Sequence, residues 1–243
     1  MTNRVRIDRL LVERGLFESR AKAQQAIAAG LVTADGAAVT KPAAEVSADA
    51  RLQAAPAHPW VSRGGVKLAA ALDHFGIEPA RRICLDVGAS TGGFTQVLLA
   101  RGARLVYAVD VGRDQLHPSL RGRPDVVSIE ATDIRKLEPA RLEEPPDLVT
   151  VDVSFIPLKL VLPAALALAR PTAETVVLIK PQYEAGPDHV KKGMVRDPAI
   201  HERACADVAA LLASLGWAIL GVIPSPIAGG DGNHEFLIAA RRS

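Results

Sequence analysis

The sequence predicts an α/β protein: a mostly parallel sheet with helices on both faces, closed by an antiparallel last strand and preceded by a small α+β module. Three observations carry this prediction. Short apolar runs recur at 83–87, 105–110, 126–129, 147–153 and 176–179, with helical patterning between them. The first run passes directly into Gly88-Ala89-Ser90-Thr91-Gly92-Gly93-Phe94, a turn that opens a helix whose N-terminus faces a ligand. Ahead of all this lies a stretch of two short amphipathic helices and a hairpin.

Composition bounds the function. Apolar residues at 49% and charged residues at 23% are enough to build a core, which excludes a disordered chain. No run approaches the ~20 apolar residues of a membrane span, and Met1-Thr2-Asn3-Arg4 leads into a charged helix, so no signal peptide is expected. Cys84 and Cys205 are far apart and lack metal-ligand spacing, His201 to Cys205 (HERAC) is not HExxH, and the six histidines are scattered. No metal is expected, and the thiols suit a reducing cytoplasm. The net charge of +2 hides an asymmetry: residues 1–67 carry ten Lys/Arg against six Asp/Glu, and the remainder is net acidic. A basic N-terminal arm on an acidic body suggests a polyanion partner.

In order, Ile7, Leu10 and Leu11 describe a helix stopped at Arg14-Gly15, and Ser19 caps a second helix from Arg20 to Ala29. Strands at Leu31–Thr33 and Ala37–Thr40 join through Asp35-Gly36, a hairpin signal, and a last strand lies near Arg51-Leu52-Gln53. The proline-rich AAPAHP stretch reads as a linker, which gives a module at 1–53, a linker at 54–61 and a larger domain at 62–243. That domain opens with a helix from Ser62 to about Phe75 and follows with the strands above. Helices are expected at Leu158–Ala169 and Ala199–Leu215, and a closing antiparallel pair at Ala218–Ile223 and Glu235–Ala239.

The glycine spacing after the first strand bears on the ligand. A dinucleotide fingerprint, GxGxxG, admits a pyrophosphate; here three residues separate Gly88 from Gly92-Gly93. Asp110, ending the second strand, can accept both hydroxyls of a ribose, which fits NAD and other nucleoside cofactors alike. Asp133 follows the third strand, where an adenine edge would lie. Lys67, Asp152, Lys180 and Glu235 all stand where strands end or helices begin. Lys180, closing Val176–Ile179 before Pro181, is the strongest site candidate among them.

The pattern RIDRLLVERGLFESRAKAQQAIAAGLVTADGAAVTKP resembles the S4 RNA-binding domain. The resemblance implies a basic RNA surface at Arg6, Arg9, Arg20 and Lys22, with Lys41 at the hairpin exit. DxGxxxGGF resembles the first motif of S-adenosylmethionine-dependent methyltransferases, whose sheets end in an antiparallel hairpin. The phrases SRGGVKL, LDVGASTGGFT, VDVSFIPL, IKPQYEAG and SPIAGGDGNHEFL cover nearly the whole domain. Through them the chain is similar to FtsJ/RrmJ-like ribose 2′-O-methyltransferases, and closer still to the TlyA type, labelled haemolysins but acting on rRNA. His234 departs from the apolar residue expected before Glu235.

What the resemblance implies is a Rossmann-like class I methyltransferase with a Lys67–Asp152–Lys180–Glu235 tetrad. Its cofactor would be S-adenosylmethionine, held by Gly88, Ser90, Gly92, Gly93 and Phe94, with Asp110 on the ribose, Asp133 on the adenine amine, and Asp86 anchoring the loop and reaching the ammonium. A ribose hydroxyl is a weak acid that must lose its proton as it attacks the methyl group. A lysine accepts that proton only when neutral, against an ordinary pKa of ~10.4, so burial and a second cation are required. Lys180 is then the base, Lys67 supplies the second charge and steadies the forming alkoxide, Asp152 orients Lys180, and Glu235 positions Lys67 or the hydroxyl. The substrate would be a cytidine in 23S rRNA, with 16S rRNA a further target, and the partner a ribosomal subunit. Arg63 and the loop lysines Lys191 and Lys192 join the expected RNA contacts, the 186–196 loop reading as a lid or clamp. Three competing readings are a membrane-lytic haemolysin, a silent RNA-binding assembly factor, and another chemistry such as pseudouridine formation. The oligomeric state is not legible, and a monomer is compatible.

Overall fold

A computed structural model describes residues 3–242, and the chain divides between Pro59 and Trp60 into two compact units. In the first, β1 (Arg4–Arg6), α1 (Ile7–Glu13), α2 (Arg20–Ala28), β2 (Val32–Ala34), β3 (Ala37–Ala38), β4 (Glu45–Ser47) and β5 (Leu52–Ala54) surround a core of Ile7, Leu11, Phe17, Ala26, Ile27 and Val32. Ser19 caps α2 by accepting the Lys22 amide. Asp35 and Gly36 both take positive φ, 50° and 81°, as the two-residue hairpin turn requires. β2 pairs antiparallel with β3 and β5. The β1–β4 ribbon, with Val5 opposite Val46, has no sequence signature because its three-residue strands are half-exposed and do not alternate.

The second unit runs α3 (Gly64–Phe75), β6 (Ile83–Val87), α4 (Gly93–Ala100), β7 (Leu105–Val109), β8 (Val126–Ile129), β9 (Leu148–Val151), α5 (Leu158–Ala167), β10 (Glu174–Ile179), α6 (Pro181–Glu184), α7 (Pro198–Ser214), β11 (Trp217–Pro224) and β12 (Phe236–Arg242). The sheet order is β11-β12-β10-β9-β6-β7-β8. The five strands from β10 to β8 are parallel, and β12 is antiparallel to both of its neighbours. One face packs on α3 and α4 through Leu68, Leu72, Phe94 and Leu98, the other on α5 and α7 through Leu162, Leu166, Val208 and Leu212. Strands covered on both faces must be apolar throughout, and β6, β9 and β10 are buried at every residue. Trp60 packs on the α3 side, against Gly65, where any side chain would strike its ring.

The strand order reverses between β6 and β9. An open parallel sheet holds its ligands in the crevice beyond the carboxyl ends of the strands at such a point.

Candidate active site

At that crevice Val87 passes into Gly88, whose backbone (φ 83°) is closed to most L-residues and whose missing Cβ would press on the Asp152 carbonyl. The loop after β6 therefore lies directly against the end of β9. The Gly88 and Ala89 amides both donate to the Val109 carbonyl, tying the loop to β7 as well. Between these strand ends is a cavity of about 460 Å³, lined by Gly88, Ser90, Asp110, Asp133, Asp152 and Phe155 among others.

Asp110 holds the rim. Its Oδ2 accepts the Ser90 amide at 2.8 Å and its Oδ1 the Gly112 amide at 2.7 Å. Each carboxylate oxygen keeps a further lone pair, so a diol can still dock. Asp133 also lines the cavity, but its carboxylate is already bound by the Arg135 guanidinium, with Nη2 at 2.5 Å. That bond holds its carboxyl down, at about 2. It is thus an ionised acceptor that an adenine amine would share with Arg135.

Asp86, Gly92, Gly93 and Phe94 sit behind the wall, not on it. Asp86 is wholly enclosed, its oxygens 2.6 Å from the Thr95 hydroxyl and 3.3 Å from that of Thr150. Burial pushes its carboxyl up to about 7. It anchors the loop to α4 and β9 from behind the cavity. Gly93 is small because a Cβ would meet the Ser62 hydroxyl, and Phe94 is core between α3 and the sheet.

The tetrad assembles on adjacent strands. Asp152 follows β9 and Lys180 follows β10, and the Lys180 amine lies 2.7 Å from Asp152 Oδ1 as an ion pair, donating a hydrogen bond to the Ser154 hydroxyl at 2.8 Å. Glu235 precedes β12, where Phe236 pairs with Ile179, so it stands beside Lys180 at the same edge. Lys67, in the second turn of α3, donates to Glu235 in a buried salt bridge. Both lysines and Glu235 are less than a tenth exposed. A buried ion pair is costly to desolvate and adds little net stability, so two at one sheet edge point to a chemical role.

Three neighbours escaped the sequence reading. Ser154 lies within the VDVSFIPL phrase, but that phrase gave it no role. Phe155 is 89% exposed, sits at φ 65° and tilts against Tyr183 with ring centroids 5.3 Å apart. An exposed aromatic in a strained backbone three residues after Asp152 is visible only in three dimensions. Asn233 is buried and clamps the expected lid, its Oδ1 accepting the Val195 amide and its Nδ2 donating to the Gly193 carbonyl. The 186–196 segment is accordingly not an open loop. Lys191 and Met194 close a tight turn through two backbone bonds, leaving Lys191 and Lys192 exposed on it.

In the N-terminal unit the predicted RNA contacts divide. Arg9 and Lys41 are exposed, and among the described residues no ion pair fixes them. Lys22 binds Glu18 at 2.6 Å. Arg6 and Arg20 are both turned onto Asp8, which is fully buried. Arg63 is half-buried in the second unit.

A carboxylate-lined nucleoside pocket at the switch point, an antiparallel seventh strand and a lysine–aspartate pair on its wall define a methyltransferase of the α/β type. A family model described as FtsJ-like methyltransferase matches residues 60–242, and one described as S4 domain matches residues 5–52. The chain is 46% identical over 244 residues to the 16S/23S rRNA (cytidine-2′-O)-methyltransferase TlyA of Mycobacterium tuberculosis, covering 99% of this chain and 91% of that one. It is 38% identical to Hemolysin A of Brachyspira hyodysenteriae, over 96% of this chain and 98% of that one. A solved structure of a hemolysin-named protein from Streptococcus thermophilus superposes with a TM-score of 0.79 at 40% identity, covering 100% and 90% of the two chains. The chain belongs to the FtsJ-like methyltransferase family, in its S4-bearing TlyA branch. Its cofactor is S-adenosylmethionine, and the donor set fits: a cationic sulfonium suits a wall bearing Asp110, Asp133 and Asp152, and the Gly88 cradle admits a nucleoside without a Cβ in its way.

Proposed function

We propose that the protein methylates the ribose 2′-hydroxyl of a cytidine in ribosomal RNA, 23S rRNA first, using Lys180 as the proton acceptor. One observation carries this reading: the two residues that hold the Lys180 amine, Asp152 and Ser154, are themselves part of the cofactor pocket wall. A proton acceptor fixed there lies within reach of a hydroxyl presented to the pocket.

When bound, S-adenosylmethionine supplies an electrophilic methyl group. The chain's own residues do the rest. Asp152 and Ser154 fix the position of the Lys180 nitrogen, so that once it has given up a proton its lone pair is directed and not free to rotate. Glu235 holds Lys67 at the same sheet edge, where its charge steadies the oxygen as the proton leaves. Phe155, exposed at the pocket mouth, offers a face on which a base can stack. Arg9, Lys41, Lys191 and Lys192 supply exposed positive charge for RNA phosphates. The substrate of this reading is ribosomal RNA within a ribosomal subunit, and the compartment that goes with it is the cytoplasm. Among the described residues no helix is long and apolar enough to cross a membrane.

The test is mass spectrometry of rRNA fragments after incubation of unmethylated ribosomal subunits with enzyme and isotopically labelled S-adenosylmethionine. Wild type should add one methyl to a cytidine ribose, and Lys180→Ala should lose at least ~100-fold in rate, the usual size of a general-base contribution, while still binding cofactor. Turnover of Lys180→Ala near the wild-type rate would remove Lys180 from the mechanism.

A further inference from the structure

Asp8 is the only acid of the N-terminal unit that is fully buried among the described residues, and none of the functional residues named so far is an acid on α1. Its surroundings are specific. Asp8 Oδ1 accepts Arg6 Nε at 3.1 Å, and Oδ2 accepts Arg6 Nη2 at 2.9 Å, Arg20 Nη2 at 2.7 Å and Gln24 Nε2 at 2.9 Å. Those bonds, the Arg6 fork foremost, hold its carboxyl well below the usual carboxylate range. The two guanidiniums share one oxygen, yet each side chain is almost half exposed, at 41% for Arg6 and 47% for Arg20. An arginine has five N–H donors, and this arrangement leaves the Nη1 group of each free to bond elsewhere. Asp8 also donates its amide to the Pro42 carbonyl, which brings the chain carrying Lys41 to the same end of α1.

We propose that Asp8 is a positioning residue for RNA binding: its buried carboxylate gathers Arg6 and Arg20 into one fixed, outward-facing pair of forks that grips a phosphate of the RNA backbone. The proposal rests on the reading of the N-terminal unit as an RNA-docking module. Two guanidiniums this close repel each other and would otherwise splay apart. One buried anion cancels one of the two charges and leaves a rigid site of net +1. Arginine forks match phosphate oxygens in two-point geometry, and side chains already ordered by Asp8 lose little further freedom when the phosphate arrives. A purely structural ion pair would have no need to keep half of each guanidinium in solvent.

Asp8→Asn separates this proposal from charge alone by sign. The substitution adds one positive charge, so long-range electrostatics predicts tighter RNA binding and a steeper salt dependence. Loss of the pre-set forks predicts the reverse. The experiment titrates the full-length protein against protein-free 23S rRNA at several salt concentrations, with circular dichroism confirming that the variant is folded. Affinity for Asp8→Asn should fall about tenfold, and the slope of log affinity against log salt should become shallower by about one phosphate contact. The Arg6→Lys, Arg20→Lys double variant supplies a second reading should Asp8→Asn fail to fold. It keeps every charge but lacks the forks, and it should also lose affinity. Tighter binding by Asp8→Asn, or wild-type binding by the double lysine variant, overturns the proposal. Should Arg6→Ala with Arg20→Ala leave affinity and slope at wild-type values, the docking reading of this face fails as well.

Discussion

Asp86 makes the behaviour of the second unit depend on pH in a direction opposite to that of most carboxylates. It is fully enclosed behind the cofactor loop, and burial, helped by the nearby charge of Asp152, pushes its carboxyl from 3.8 up to about 7 against the opposing pull of Thr95 and Thr150. A carboxyl that titrates higher when folded than when unfolded binds its proton more tightly in the folded state. Its contribution to stability is therefore complete below pH 3.8, and it is lost as pH rises towards 7. At about 1.36 kcal/mol per pH unit, the loss over that window is on the order of 4 kcal/mol. Asp86→Asn stays neutral at every pH and can still bond both threonines, so it should escape the loss. The assay is urea unfolding of both proteins between pH 4 and 8, read by tryptophan fluorescence. Both tryptophans, Trp60 and Trp217, lie in the second unit, so the signal reports that unit alone. The variant should gain on wild type steadily as pH rises to neutrality. A stability difference that is flat across this range, or that shrinks with pH, refutes the reasoning.

Three other substitutions probe the site. Gly88→Ala forces a Cβ against the Asp152 carbonyl in a backbone of φ 83°, so isothermal titration with S-adenosylmethionine should show binding at least ~10-fold weaker, with strain of about 1–3 kcal/mol in unfolding. Phe155→Ala removes a ring that buries almost nothing, so stability should stay within ~0.5 kcal/mol while methyl transfer to RNA falls about tenfold or more through lost base stacking; an unchanged KM and kcat for RNA would strip Phe155 of that role. Asn233→Ala leaves the Val195 amide and the Gly193 carbonyl without their partner, costing about 1–3 kcal/mol, and trypsin should then cut faster after Lys191 and Lys192.

The architecture was legible because a parallel sheet buries its strands on both faces, and that demand writes itself into apolar runs such as Val176–Ile179, the buried end of β10. The helix stops were legible for a similar reason: Gly15, Gly30 and Gly76 take the left-handed conformation their neighbours cannot. The β1–β4 ribbon was not, since three half-exposed residues impose no pattern on composition. The tetrad's positions were readable from strand ends and its roles from the family resemblance, but residue spacing alone could not bring Lys180 to Asp152, because that contact needs β10 beside β9 and the order is a property of the assembled sheet.

The same limit explains why the residues of the glycine-rich loop could not be sorted by the side they face. A glycine-rich turn has an inside and an outside, and sequence names its members without saying which side each faces. Gly88 and Ser90 reach the cavity because the chain bends left-handed at both, with φ of 83° and 48°. The next bend, at Gly92, carries Gly93 and Phe94 back into the helix that packs on α3. Asp86 is placed by β6 itself: Cys84 packs on the α3–α4 face and Leu85 on the opposite one, so alternation puts Asp86 on the α4 side, where Thr95 meets it. The arginine of α2 poses the same question in helical form, since Arg20 looks like a free cation until the buried Asp8, twelve residues earlier, is found beneath it. In each case a charge or a glycine announces a site, and the element's periodicity, fixed only once its partners are known, decides whether the residue touches the ligand or holds the one that does.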